Sequence, residues 1–154
     1  MTSDDLASFR TESSTDLSVS QATSLAVQGA YAAVAGLEGE AAIYSIEADK
    51  LERSLPVNEP VTDTVWTEAR LIFATAKGSV KVVESGNEVA SLSEHAGAAT
   101  ALSLHPSEAL LASVGSDKAI VFYDLSSYKR VSRCYTESGE WTPCGTSRGD
   151  EGEY

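Results

Sequence analysis

The chain has 154 residues, enough for one modest domain and too few for two ordinary ones. Apolar residues make up 42% and aromatics 7%, so a core can form but a light one. The 23 acidic against 11 basic residues give a formal charge of −12, which argues against direct binding to a nucleic-acid backbone, because phosphate attraction needs a basic face.

Residues 1–20 are rich in Ser, Thr, Asp and Glu, so they read as a flexible acidic lead-in, with one short strand at Leu17–Val19. The start, Met1 to Arg10, is acidic where a signal peptide is basic and then apolar. No run reaches the roughly 18 apolar residues of a membrane span, so the chain is expected to be soluble and intracellular.

From residue 21 onward, short runs of Val, Ile, Leu, Ala and aromatics alternate with Gly, Pro, Ser and Asp, the pattern of strands joined by tight turns. Gly39, Gly78 and Asp117 fall at the same turn between two apolar runs, 39 residues apart each time. Ile43, Val82 and Val121 follow in step, and Ala33, Ile72 and Leu111 precede in step. A four-strand unit therefore recurs three times. The predicted strands are 23–27, 31–36, 41–46 and 51–57; then 61–66, 70–75, 79–84 and 88–93; then 100–104, 110–114, 119–124 and 129–135. A period near 40 residues with four strands per unit is the signature of propeller blades, here about 21–58, 59–95 and 96–135. The fold class is thus all-β. Residues 136–154, rich in Gly and acid, read as a disordered acidic tail.

The order His95, Gly97, Leu102, Pro106, Leu111-Ala112-Ser113, Asp117 and Tyr123-Asp124 resembles the WD-repeat (WD40) family, with Tyr123 where a Trp usually stands. The resemblance implies a hydrogen-bonded chain of His95, Ser113, Asp117 and Tyr123. In such a chain a carboxylate holds one imidazole nitrogen while the other meets a hydroxyl, which satisfies buried polar groups and fixes the turns. Units one and two lack most of this set, so they are expected to be held by packing and strand pairing alone. Residues 17–135 further resemble the seven-bladed propeller of the fungal pre-mRNA-processing factor 19 family. The likeness is carried by VTDTVWTEARLIFATAKGSVKVVESGNEVASLSEHAG, HPSEALLASVGSDKAIVFYDL and GLEGEAAIYSIE.

That resemblance implies a nuclear scaffold of a spliceosome-associated complex. It also implies a U-box ubiquitin ligase that is tetrameric through a coiled coil, with spliceosomal proteins and ubiquitination substrates as partners. The chain has no heptad run and no U-box-like segment, so no intrinsic ligase activity is expected. With three blades of seven it reads as a fragment or a mis-spliced product, and one that is marginal or oligomeric alone, because its outer sheets lack neighbours. Two alternatives stand beside the splicing scaffold. One is a WD-repeat adaptor of another complex; the other is an enzyme, either a ubiquitin transferase or an unrelated hydrolase.

Partner contacts are expected on turns carried by rigid strands: Pro60, Val61, Thr62, Lys77, Gly78, Ser79, Ala96, Gly97, Ser116 and Lys118. No cofactor, metal, nucleic acid or membrane partner is expected. His95, His105, Cys134 and Cys144 show none of the short spacings of a zinc site. A Cys134 nucleophile with His95 or His105 as base would need an electropositive setting, and Cys134 instead reads as a small buried strand residue rather than half of a disulfide. The glycines at 36, 39 and 115 precede no helix that could cradle phosphate. Trp66 reads as core and Trp141 as tail, neither flanked by the basic residues of a base-stacking platform.

Overall fold

The β-branched and aromatic runs become strands, as their content favours. The computed structural model describes residues 13–136 and 145–146, and among these all regular structure is extended. Three antiparallel four-strand meanders follow one another. The first is β1 (Ala22–Gln28), β2 (Tyr31–Gly36), β3 (Glu40–Ser45) and β4 (Lys50–Pro56). The second is β5 (Val61–Trp66), β6 (Arg70–Thr75), β7 (Ser79–Glu84) and β8 (Asn87–Ser93). The third is β9 (Ala99–Leu104), β10 (Leu110–Gly115), β11 (Ala119–Asp124) and β12 (Lys129–Tyr135). The leading strands β1, β5 and β9 lie side by side, giving a β-propeller-like array.

The predicted strand at Leu17–Val19 does not form; residues 13–19 are irregular. Ser13 and Thr15 instead donate to the Asp49 carboxylate at 3.1 and 3.4 Å, and the Tyr44 hydroxyl bonds the same group. These bonds pin the segment to the first sheet without giving it a ladder partner. The remainder of the lead-in lies outside the described residues, as does most of the tail. Within the tail, Gly145–Thr146 form a short strand, β13, on the outer edge of β12.

The three units are not in a strict 39-residue register. Gly39 and Gly78 hold the left-handed place in their turns at φ +85° and +91°, but the third such residue is Lys118 at φ +65°, not Asp117. The turn hydrogen bonds agree: Gly39 N–H to Gly36, Gly78 to Thr75 and Lys118 to Gly115. Asp117 therefore stands where Glu38 and Lys77 stand. Leu111 matches Leu71, and Val121 matches Lys81. Strands β10 and β11 are displaced one residue because the linker after β8 and the turn after β9 are longer than their counterparts, while the turn between β7 and β8 is shorter and offsets most of the gain.

One device recurs in all three sheets. Ladder pairing skips Thr23, Thr62 and Thr100, so each bulges out of its leading strand. Each hydroxyl donates across its own sheet at 3.2 Å, to the carbonyls of Ala35, Ala74 and Val114. Thr23 and Thr62 also reach the next sheet, at the carbonyls of Val61 and Ala99.

Two cores fill the gaps between sheets. Leu71, Phe73 and Trp66 press onto Ala33, Ala35 and Ala41 of the first sheet, large side chains on small ones. Ile72, Val80 and Val82 meet Leu111, Val121 and Tyr123 of the third. Arg53 donates to the Ser85 carbonyl across the first gap, and the Arg70 guanidinium lies 5.4 Å over the Tyr128 ring across the second.

Candidate functional site

The linkers into β5 and β9 and the turns after β6 and β10 meet at one edge of the array. The His95 amide bonds the Gly78 carbonyl, Asn58 bonds Gly39, and Ser116 bonds Ala98. A polar anchor fixes each of these linkers, half-buried at Glu59 and buried at His95.

In the third sheet the anchor is His95, whose side chain is wholly buried. Its Nδ1 lies 3.0 Å from Asp117 Oδ1 and its Nε2 2.7 Å from Ser113 Oγ, which in turn bonds the Tyr123 hydroxyl at 3.2 Å. The structure thus brings His95, Ser113, Asp117 and Tyr123 into one network. Asp117 also accepts the amides of Ala96 at 2.9 Å and Ala119 at 3.2 Å. Burial pushes the Asp117 carboxyl upward, but the His95 hydrogen bond and the two amides outweigh it and hold the group below its ordinary 3.8. Burial raises the Tyr123 phenol above its ordinary 10.0, against the opposing hydrogen bond from Ser113. Beside this network Glu94 receives Arg133 at 2.9 Å and Arg130 at 3.2 Å, which ties the linker to β12.

The second sheet is not held by packing and pairing alone, contrary to the sequence-based expectation. Glu59, in the linker before β5, accepts the hydroxyl of Thr75 at 2.6 Å and that of Ser79, and these two hydroxyls lie 3.0 Å apart. Lys81, only 8% exposed, places Nζ 3.7 Å from Glu59 and 3.2 Å from Glu88. Burial raises the Glu59 pKa, but the Ser79 and Thr75 hydroxyls and the Lys81 and Lys77 ammonium groups prevail and keep it below its ordinary 4.5. Different residues thus do the work that His95 and Asp117 do next door. The signal in the sequence was Lys81 alone inside the run SVKVVE, since a buried ammonium requires a carboxylate.

The ten residues predicted to meet partners divide. Lys77, Ala96, Ser116 and Lys118 are exposed along this edge, and Pro60, Thr62 and Gly97 are half-buried. Val61, Gly78 and Ser79 are buried, so they offer no surface to a partner. Val61 packs in the first core, Gly78 sits under the linker, and Ser79 turns inward to Glu59. Cys134 is buried and disulfide-bonded, which corrects the reading of it as a lone strand residue and removes it as a nucleophile. Infrequent cysteines argue against a disulfide only on average; strand placement decides proximity. His105 is exposed and bonds Ser107 within its own turn. Among the described residues no cluster of three or more His, Cys, Asp or Glu is placed to hold a metal ion. No protein-family model matches the chain, and a search of curated proteins returns no match.

Proposed function

We propose that the chain is a WD-repeat scaffold that binds proteins of a spliceosome-associated complex in the nucleus. Its docking edge is formed by the linkers and turns around Lys77, Ala96, Ser116 and Lys118. The observation that carries the reading is the His95, Ser113, Asp117 and Tyr123 network, the set on which the WD-repeat resemblance rests. The network also supports a binding role on physical grounds. Exposed loops recognise partners cheaply when their backbones are already ordered, and the two anchors supply that order here. No step of catalysis is assigned to this chain; in the resembled family the ligase activity belongs to a U-box and not to the propeller.

The test is quantitative mass spectrometry of proteins retained by the tagged chain from nuclear extract, beside a Lys77→Glu, Ala96→Arg, Ser116→Arg variant. Enrichment of splicing proteins by the wild-type chain, lost in the variant, is the expected result. Equal recovery by both would remove the edge from the proposal, and no enrichment of splicing proteins would remove the splicing role.

A further inference from the structure

We propose that two copies of this chain associate head to tail, the trailing face of the third sheet of each packing on the leading face of the first sheet of the other. The proposal does not depend on the splicing role. It rests on a junction that the chain already builds twice and whose two halves recur, open among the described residues, on the outer faces of the first and third sheets.

Each internal junction has the same parts. A trailing face supplies Ala33, Ala41 and Ile43 from the first sheet, or Ile72, Val80 and Val82 from the second. A leading face answers with Trp66, Leu71 and Phe73, or with Leu104, Leu111 and Tyr123. A bulged threonine then closes the inner rim by donating to the first residue of the next leading strand, Thr23 to Val61 and Thr62 to Ala99.

On the third sheet the trailing positions are filled by Ala112, Ile120 and Phe122, which are half-buried where Ile72, Val80 and Val82 are fully buried. Leu110, Ala112 and Phe122 wall an apolar groove of about 320 Å³ on this side. Thr100 bulges as Thr23 and Thr62 do and makes the same bond within its own sheet. On the first sheet the leading positions hold Leu25 and Val27, 64% and 57% exposed, where the matching Thr64 and Trp66 are sheltered by a neighbouring sheet. Ala22 stands where Val61 and Ala99 stand, in place to receive a threonine hydroxyl. A second copy therefore offers Leu25 and Val27 to the groove beside Phe122, and its Ala22 carbonyl to Thr100.

The contact is heterologous, so it either closes or grows into a filament. The described residues of two copies supply six sheets, within the roughly four to eight at which such rings close, and this favours a closed dimer over a filament. The net charge of −12 on each copy opposes approach, so the dimer should tighten as salt rises.

Sedimentation velocity of the full chain near 0.15 M salt tests this, on the order of physiological ionic strength. The expected species has twice the 16.2 kDa of one chain. Leu25→Glu and Phe122→Glu should each raise the dimer dissociation constant about tenfold or more, because each buries a charge at both junctions. Both positions lie on outer faces, and unchanged tryptophan fluorescence in a Trp141→Phe background, which leaves Trp66 alone, would show that the internal junction stays folded. Mixing the two variants leaves one junction intact, the Phe122 groove of one against the Leu25 face of the other, and gathers both glutamates at the second, so a heterodimer should form more tightly than either variant alone but more weakly than the wild-type dimer. A monomer at tens of micromolar, an open-ended series of oligomers, or a dimer insensitive to Phe122→Glu would each overturn the proposal. Loss of the dimer in Leu25→Glu alone would show a face-to-face contact of two first sheets instead, which also overturns it.

Discussion

Replacing Asp117 by Ala tests the anchor beneath the third sheet. The carboxylate accepts three hydrogen bonds: from His95 at 3.0 Å, Ala119 at 3.2 Å and Ala96 at 2.9 Å. Ala96 is exposed and its amide regains water, whereas the wholly buried His95 ring does not. Stranding one buried donor costs about 1–3 kcal/mol, and losing the carboxylate's bond to the Ala119 amide adds about 1 kcal/mol, for a total near 2–4 kcal/mol. Asp117→Asn keeps one accepting oxygen for His95 and should cost about 1 kcal/mol. Glu38 occupies the same turn position in the first sheet and is exposed, so Glu38→Ala should stay within about 0.5 kcal/mol. Urea denaturation followed by circular dichroism measures all three, provided that m is unchanged, so that shifts in Cm report stability. An Asp117→Ala midpoint matching that of Glu38→Ala would refute the reasoning, since the network would then contribute nothing beyond an exposed turn residue.

Glu59→Ala should cost about 2–4 kcal/mol by leaving Lys81 short of a carboxylate, and Glu59→Ala with Lys81→Met should cost less than Glu59→Ala alone; a double-mutant cycle in urea checks the sign. Gly78→Ala would place a Cβ 2.5 Å from the Gly97 carbonyl oxygen and 2.6 Å from that of His95 at φ +91°, so thermal unfolding should show a loss of more than about 2 kcal/mol. Lys118→Gly, at the matching position of the third turn, should stay within about 1 kcal/mol. Folding lowers the pKa values of Asp117 and Glu59. Their contribution is therefore fully present above the ordinary values of 3.8 and 4.5 and is lost as pH falls through the lower folded values. Acid titration of Cm should decline below those values, and Asp117→Asn with Glu59→Gln should flatten the decline.

The strands were legible because their signals are local. The sequence places β2, β5, β6, β7, β11 and β12 at the residues where they are found, and β1, β3, β4, β8, β9 and β10 within one residue at either end, while β13 was not foreseen. Period-two patterning, turn glycines and a recurring unit need no knowledge of what lies opposite. The four members of the His95 network were likewise visible, through their resemblance to a known set.

What surrounds them was decided by packing. A repeat counted along the chain puts Asp117 level with Gly78, but hydrogen bonding inside the turn puts Lys118 there, because connections of altered length shift the register by one residue without changing the pattern. The Glu59 anchor stayed hidden because its partners Thr75, Ser79 and Lys81 are 16 or more residues away in sequence and are ordinary strand residues one by one. Val61, Gly78 and Ser79 read as surface turn residues until tertiary packing buries them, Val61 in the first core, Gly78 beneath the linker and Ser79 against Glu59. Composition and periodicity determine which segments extend and which positions turn. Only when the sheets stack does it become settled which polar group has lost its water and must find another partner.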